Sequence, residues 1–174
     1  MKFTLAELIP FPSIIKREIS YLQSKVIENS SFKGVTRDEV EKGNVKEQKE
    51  LFDSYLERVE EASEDLEKVQ RLIDRTNSTT MVDTDFGELS IKEALLKANE
   101  MRSLATLYRR LSEMSKFEMI TDFSSHYFQK TVYDPEEMRS KTREFDNGAQ
   151  KLSNAIENAN NTTRVEAEFL EKYM

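Results

Sequence analysis

The chain lacks cysteine altogether, and among its 174 residues it has only four glycines, three prolines and one histidine. Without cysteine there are no disulfides, no thiol nucleophile and no cysteine-ligated zinc, a usage that fits a reducing cytoplasm. The scarcity of glycine and proline argues against a loop-rich β or α/β fold and suits long helices. No apolar run approaches the roughly 20 residues of a membrane span. The N-terminal "MKFTLAELIPFPSII" is interrupted by Glu7, Pro10 and Pro12 and is followed by no small-residue cleavage site, so it is not read as a signal peptide. The lone His126 cannot build a multi-histidine metal site, and no carboxylate stands three residues before it at the Glu-x-x-His spacing. No Gly-rich phosphate loop, nucleophile elbow or Ser-His-Asp order occurs, so no catalytic set can be assembled, and an enzyme is not expected.

What is present is charge and periodicity. Charged residues make up 34% and the net charge is −7, a poor basis for gripping duplex nucleic acid, which needs a basic surface. From Val45 to Thr80 every seventh residue reads Val45, Phe52, Val59, Leu66, Ile73, Thr80, with Gln48, Tyr55, Ala62, Val69 and Thr76 three places after the first five. That is a heptad seam on one uninterrupted helix. A second long helix is expected from Asp134 to about Asn161, opened by a capping Asp, Pro135 at the first helical position and Glu136 and Glu137 in the first turn. Its seam reads Met138, Thr142, Phe145, Ala149, Leu152, Ile156, Ala159, Thr163, and each residue falls 83 places after a seam residue of the first helix.

The same offset aligns "IDRTNSTTMV" from Ile73 with "IENANNTTRV" from Ile156. Two independent agreements at one offset indicate internal duplication. Between the long helices, Ser90 and Glu93 form a capping box for a third helix with the apolar face Ile91, Ala94, Leu95, Ala98, Met101, Ala105, Tyr108, Leu111. Its small residues permit close approach of a neighbour. Ile15, Ile19, Leu22 and Val26 mark a weaker counterpart near the N-terminus. Ser30–Asn44 reads as a loop, Thr84–Gly87 as a turn within a short hairpin, and Phe117–Tyr133 as a hairpin or extended arm; Glu166–Met174 continues as a helix.

The phrases Ile73, Arg75, Asn77, Thr79, Thr80, then Gly87, Leu89, Ser90, Ala94, Leu95, and finally Ile156, Ala159, Asn160, Thr162, Thr163 resemble the pattern of a bacterial and phage helical family whose members are sometimes called septicolysin-like. The resemblance covers roughly residues 50 to 166. The N-terminal segment and the aromatic insert around His126 depart from it. It implies an oligomeric helical bundle and supplies no activity.

Two readings of the paired N-x-T-T phrases stand. Asn and Thr compete with a helix for its backbone partners, so each phrase can simply end its helix. Alternatively, because Thr76 and Thr80 continue the seam, hydroxyls face inward. Arg75, Thr76, Asn77, Thr79 and Thr80 would then join Asn160, Thr162, Thr163 and Arg164 around one polar cavity for a small polar or anionic, possibly nucleotide-like, ligand. The acids are expected on solvated helix faces. Arg102, Arg109, Arg110 and Lys116 are expected to pair with the acidic helices. The Asn-x-Ser/Thr matches at Asn29, Asn77, Asn160 and Asn161 are not read as glycosylation sites without a signal peptide.

The expected fold is therefore all-α: one domain, residues 1–174, an antiparallel long-helix bundle from two duplicated helical hairpins (about 5–83 and 88–166) with a small irregular or β-hairpin insert. The expected function is a cytoplasmic, non-enzymatic, homo-oligomeric protein that sequesters or senses its ligand at the N-x-T-T region, with no cofactor, metal, duplex nucleic acid or membrane. The alternative is a helical scaffold for a protein partner, with the phrases purely structural.

Overall fold

A computed structural model describes residues 1–43, 45–122 and 125–174. Over the described residues the protein is mostly helical, with three small antiparallel strand pairs. In chain order it runs β1 (Lys2–Thr4), α1 (Leu5–Leu8), α2 (Phe11–Glu28), α3 (Arg37–Lys42), α4 (Lys46–Thr79), β2 (Met81–Thr84), β3 (Gly87–Ser90), α5 (Ile91–Ser112), β4 (Phe117–Asp122), β5 (Ser125–Lys130), α6 (Pro135–Thr162), β6 (Arg164–Glu166) and a 3-10 helix (Glu168–Tyr173). Among the described residues no helix is long and apolar enough to cross a membrane.

The chain forms two compact units. The first comprises Met1–Thr76 with Asn161–Met174, and the second Asn77–Asn160. In the first, α2 runs antiparallel to α4: Ile9 and Pro12 share a cleft with Gln70 and Ile73, while Glu18 meets Arg58 at 3.2 Å. Proline is tolerated at the start of α2 because the first-turn amides have no helical partner there. The core joins Phe3, Leu8, Phe11, Ile15 and Leu22 to Ala62, Val69, Ala167 and Leu170. Phe3 meets Phe11 edge-on, with ring centres 5.5 Å apart.

In the second unit α5 and α6 run antiparallel. Arg102 Nη2 donates to Ser153 Oγ at 2.6 Å and Arg109 to Asp146 at 2.7 Å, so partners descend on α6 as residues ascend on α5. The expected pairing of the basic run with the acidic helix is seen at Arg109. Small residues set the approach: Ala94, Ala98 and Ala105 are buried, and a Cβ on Gly148 would lie 2.2 Å from Met101 Cε. Tyr108 stacks on Phe145 at 5.5 Å.

The helix starts follow from local chemistry. Ser90 and Glu93 make the expected capping box on α5, and Thr4 with Glu7 makes another on α1. Asp134 Oδ1 accepts from the Glu136 amide at 3.2 Å, opening α6 as expected. The β2–β3 hairpin turns where expected; Gly87 has φ +96°, a conformation that favours glycine.

Three expectations need revision. The Ser30–Asn44 stretch holds a short helix, α3, opened by a Thr36–Glu39 capping box. Residues 164–166 form a strand, paired with the N-terminal strand β1, before the last residues become a 3-10 helix instead of an α-helix. Both strands are three residues long and satisfy each other's amides, which no local pattern announces. Finally, not every acid faces water: Asp65 is 2% exposed. Asn44, at the end of the expected loop, and Phe123 and Ser124, within the expected arm, lie outside the described residues.

Candidate functional site

The N-x-T-T phrases fall where the chain passes between its two compact units. Arg75, Thr76, Thr162, Thr163 and Arg164 belong to the first unit, and Asn77, Thr79, Thr80 and Asn160 to the second. Several of these residues have local backbone roles. The Thr76 hydroxyl donates to the Leu72 carbonyl at 2.8 Å, a bond within its own helix. The Thr80 carbonyl accepts from the Ile91 amide at 2.9 Å, and the Thr163 carbonyl accepts from the Leu5 amide at 3.0 Å. Ile91 and Leu5 are the first residues of α5 and α1, so the last threonine of each phrase satisfies an orphan amide at a helix start. Arg164 pairs in register with Thr4. Hydrogen bonds from the Thr4 amide and hydroxyl hold the Glu7 carboxyl below its ordinary value, and the Arg164 charge adds to them. Thr79 and Thr162 are exposed at the ends of α4 and α6. Asn160 Oδ1 is buried with no hydrogen-bond partner among the described residues, and nothing in the structure explains it.

A different site is built wholly within the first unit. A cleft of about 520 Å³ opens between α2, α4 and the 3-10 helix. Ile14, Arg17, Glu18 and Leu22 recur at helical spacing along one face of α2, and Arg58, Glu61 and Ala62 do so on α4. Lys172, Tyr173 and Met174 complete the lining. The volume is in the ordinary range of small-molecule sites, roughly 300–1,000 Å³.

Behind this lining lies Asp65, with a side chain only 3% exposed. Lys172 Nζ stands 2.7 Å from its Oδ2, the Tyr173 hydroxyl donates to Oδ2 at 3.2 Å, and Lys68 reaches Oδ1 at 3.3 Å. Burial alone would push the Asp65 carboxyl up; the bonds from Lys172, Lys68 and Tyr173 with the Lys172 charge outweigh it, and the net shift is down. Burial likewise disfavours the Lys172 ammonium, but Asp65 and Glu61 together raise its pKa. Burial and the Asp65 charge push the Tyr173 phenol up to about 12. Asp65 is thus an ionised anchor that fixes two lining side chains, a buried charge compensated on several sides.

The remaining charges of the cleft are mostly committed. Glu18 holds Arg58 at 3.2 Å, and Glu61 holds Lys172 in a short ion pair. Arg17, exposed on α2, has no ion-pair or hydrogen-bond partner among the described residues. Sequence reasoning missed this constellation. Asp65 directly precedes the seam residue Leu66 in an acidic stretch, and its partner Tyr173 is 108 residues away. Only the fold brings them together. Among the described residues, no three His, Asp or Glu side chains converge as a metal-ligand set.

No family model and no curated protein matches the chain. Its fold is similar to that of a solved structure described as a functionally unknown conserved protein from Corynebacterium diphtheriae. The TM-score is 0.61 at 20% identity, over 95% of this chain and all of the other.

Proposed function

We propose that the protein is a non-enzymatic helical binding protein built from a duplicated helix pair, and that its first unit holds a small polar or anionic ligand in the cleft between α2, α4 and the 3-10 helix. Duplication is supported by the strand pairs: Met81 opposes Ser90 and Arg164 opposes Thr4, each pair placing the residue after an N-x-T-T phrase across from the N-cap of a capping box. On this reading the phrases are joints that seat the next helix rather than ligand contacts.

The observation that carries the binding reading is the internal anchoring of the cleft. A carboxylate 3% exposed holds Lys172 and Tyr173 in place before any ligand arrives. Side chains fixed in advance lose little freedom on binding, which favours affinity for a small molecule. The test is native mass spectrometry of the purified protein, followed by a thermal-shift screen of small polar and anionic metabolites, since a ligand of the folded state raises the melting temperature. Ile14→Trp fills the cleft from a half-exposed position. It should abolish both the co-purified mass and the shift while leaving the helical spectrum unchanged; an undiminished shift would sink the reading.

A second reading, a scaffold for a protein partner, is favoured by the β4–β5 hairpin. Phe117, Met119 and Phe128 lie on one face and are 64%, 57% and 66% exposed. Replacing Phe117 and Phe128 by serine should then cost partner or self-association at least tenfold, measured by sedimentation velocity and pull-down; unchanged association removes this reading.

A further inference from the structure

Resting on the scaffold reading of the β4–β5 hairpin, we infer that its partner is a second copy of this chain, joined by antiparallel pairing of β4 with the partner's β4 in a register centred on Met119. Among the described residues β4 pairs only with β5, so each strand has one unpaired edge. Every residue of the two strands whose burial is described is exposed, apart from half-buried Ile120. Phe117, Met119 and Phe128 stand on one face, Ile120 and Tyr127 on the other. A two-stranded ribbon bare on both faces is marginal in water, and a further strand is what stabilises it.

The hydrogen-bond pattern fixes which residues can receive that strand. The Thr131 amide donates to the Lys116 carbonyl at 3.2 Å, one step beyond the Phe117–Lys130 pair. Hydrogen-bonded and non-hydrogen-bonded pairs alternate along an antiparallel ladder. Glu118 and Ile120 therefore turn their amides toward β5, and Phe117, Met119 and Thr121 turn theirs to the open edge. A strand that pairs with its own copy about a twofold axis must be its own complement. Centred on Met119, Lys116 lies opposite the partner's Asp122, Phe117 opposite the partner's Thr121, and Glu118 opposite the partner's Ile120. Lys116 is exposed, and its own ion pair with Asp134 is a loose 3.9 Å. Centring on Glu118 sets that acid against its own copy, and centring on Ile120 sets it against the partner's Asp122. Registers centred nearer either end overlap only part of β4. Like charges directly opposite destabilise a ladder and opposite charges stabilise it. β5 carries Lys130 and no acid, so no register gives it such a complement.

The experiment uses the full chain, read by sedimentation velocity and by oxidative cross-linking. The chain has no cysteine, so Met119→Cys introduces a single thiol. At the centre of the register the two copies of that residue lie about 5.5 Å apart between Cα atoms, within disulfide reach. Met119→Cys should cross-link under mild oxidation, while Phe128→Cys, three strand spacings or about 14 Å from its copy, should not. Lys116→Glu and Asp122→Lys should each weaken self-association at least tenfold. Mixed together, the two variants should form a heterodimer of wild-type strength, because each reversed charge then meets its opposite; this recovery also shows that both still fold. A chain monomeric at every concentration, cross-linking at Phe128→Cys in place of Met119→Cys, single reversals that associate like the wild type, or a mixture that stays apart would each overturn the inference. If the chain is monomeric but Phe117 and Phe128 are needed to capture a different protein, the inference falls and the scaffold reading stands. If the hairpin supports neither kind of association, both fall.

Discussion

Replacing Asp65 by alanine lowers the melting temperature by about 4–8 °C. Removing one partner of a buried ion pair costs roughly 3–5 kcal/mol when the other charge stays buried. Here the Lys172 side chain is 41% exposed, so it recovers part of its hydration and keeps Glu61 as a neighbour. The loss is accordingly nearer 2 kcal/mol. Each kcal/mol is worth about 2–4 °C in a chain of this size. Most of the penalty comes from the Tyr173 hydroxyl, which loses its carboxylate acceptor in a half-buried position.

The effect has a pH signature. The Asp65 carboxyl is depressed below its ordinary 3.8, so its contribution is present above that value and is lost as pH falls through the folded value. The Lys172 ammonium is raised above 10.5 and the Tyr173 phenol above 10.0, to about 12, so their contributions are complete at neutral pH and are lost as pH rises beyond these ordinary values. Thermal melts from pH 2.5 to 11 should therefore show a wild-type advantage over Asp65→Asn that is constant between about pH 5 and 9 and shrinks at both ends. An advantage independent of pH would mean that Asp65 acts by shape alone.

Leu170→Ala costs more, about 3 kcal/mol, or roughly 6–12 °C. Leu170 is fully buried and packs in the cluster that contains Phe3, Leu8 and Ile15. It is the plug by which the 3-10 helix is seated, so its truncation leaves a cavity and also loosens the wall that carries Lys172 and Tyr173. Hydrogen exchange should quicken selectively at β1 and β6 while α5 and α6 keep their protection. A loss below about 1 kcal/mol by denaturant titration would mean that the C-terminal segment is not cooperative with the first unit's core.

The helices were largely legible because their signals are local. The expected start at Asp134–Pro135 and the capping box at Ser90 lie where α6 and α5 begin, and the heptad seam runs along α4. The short helix α3 also carried its signal, Thr36 and Glu39, but the flanking Gly34 and Gly43 favoured a loop. Strands β1 and β6 were not legible: three residues give no period, and Phe3 pairs with Val165 across almost the whole chain. The site suffered the same way. Thr76 and Thr80 stand out because polar residues on an apolar seam are visible in one dimension. Asp65 looks like any other acid of α4 until the C-terminal segment folds over it.

The pairing of β1 with β6 has a consequence for synthesis. All of residues 77–160 leave the ribosome before the last strand of the first unit exists. The opening 76 residues must wait, with Phe3 and Leu8 still lacking Leu170, until residues 161–174 have been made. The part made first is thus completed last, through a long-range closure of the kind that forms slowly.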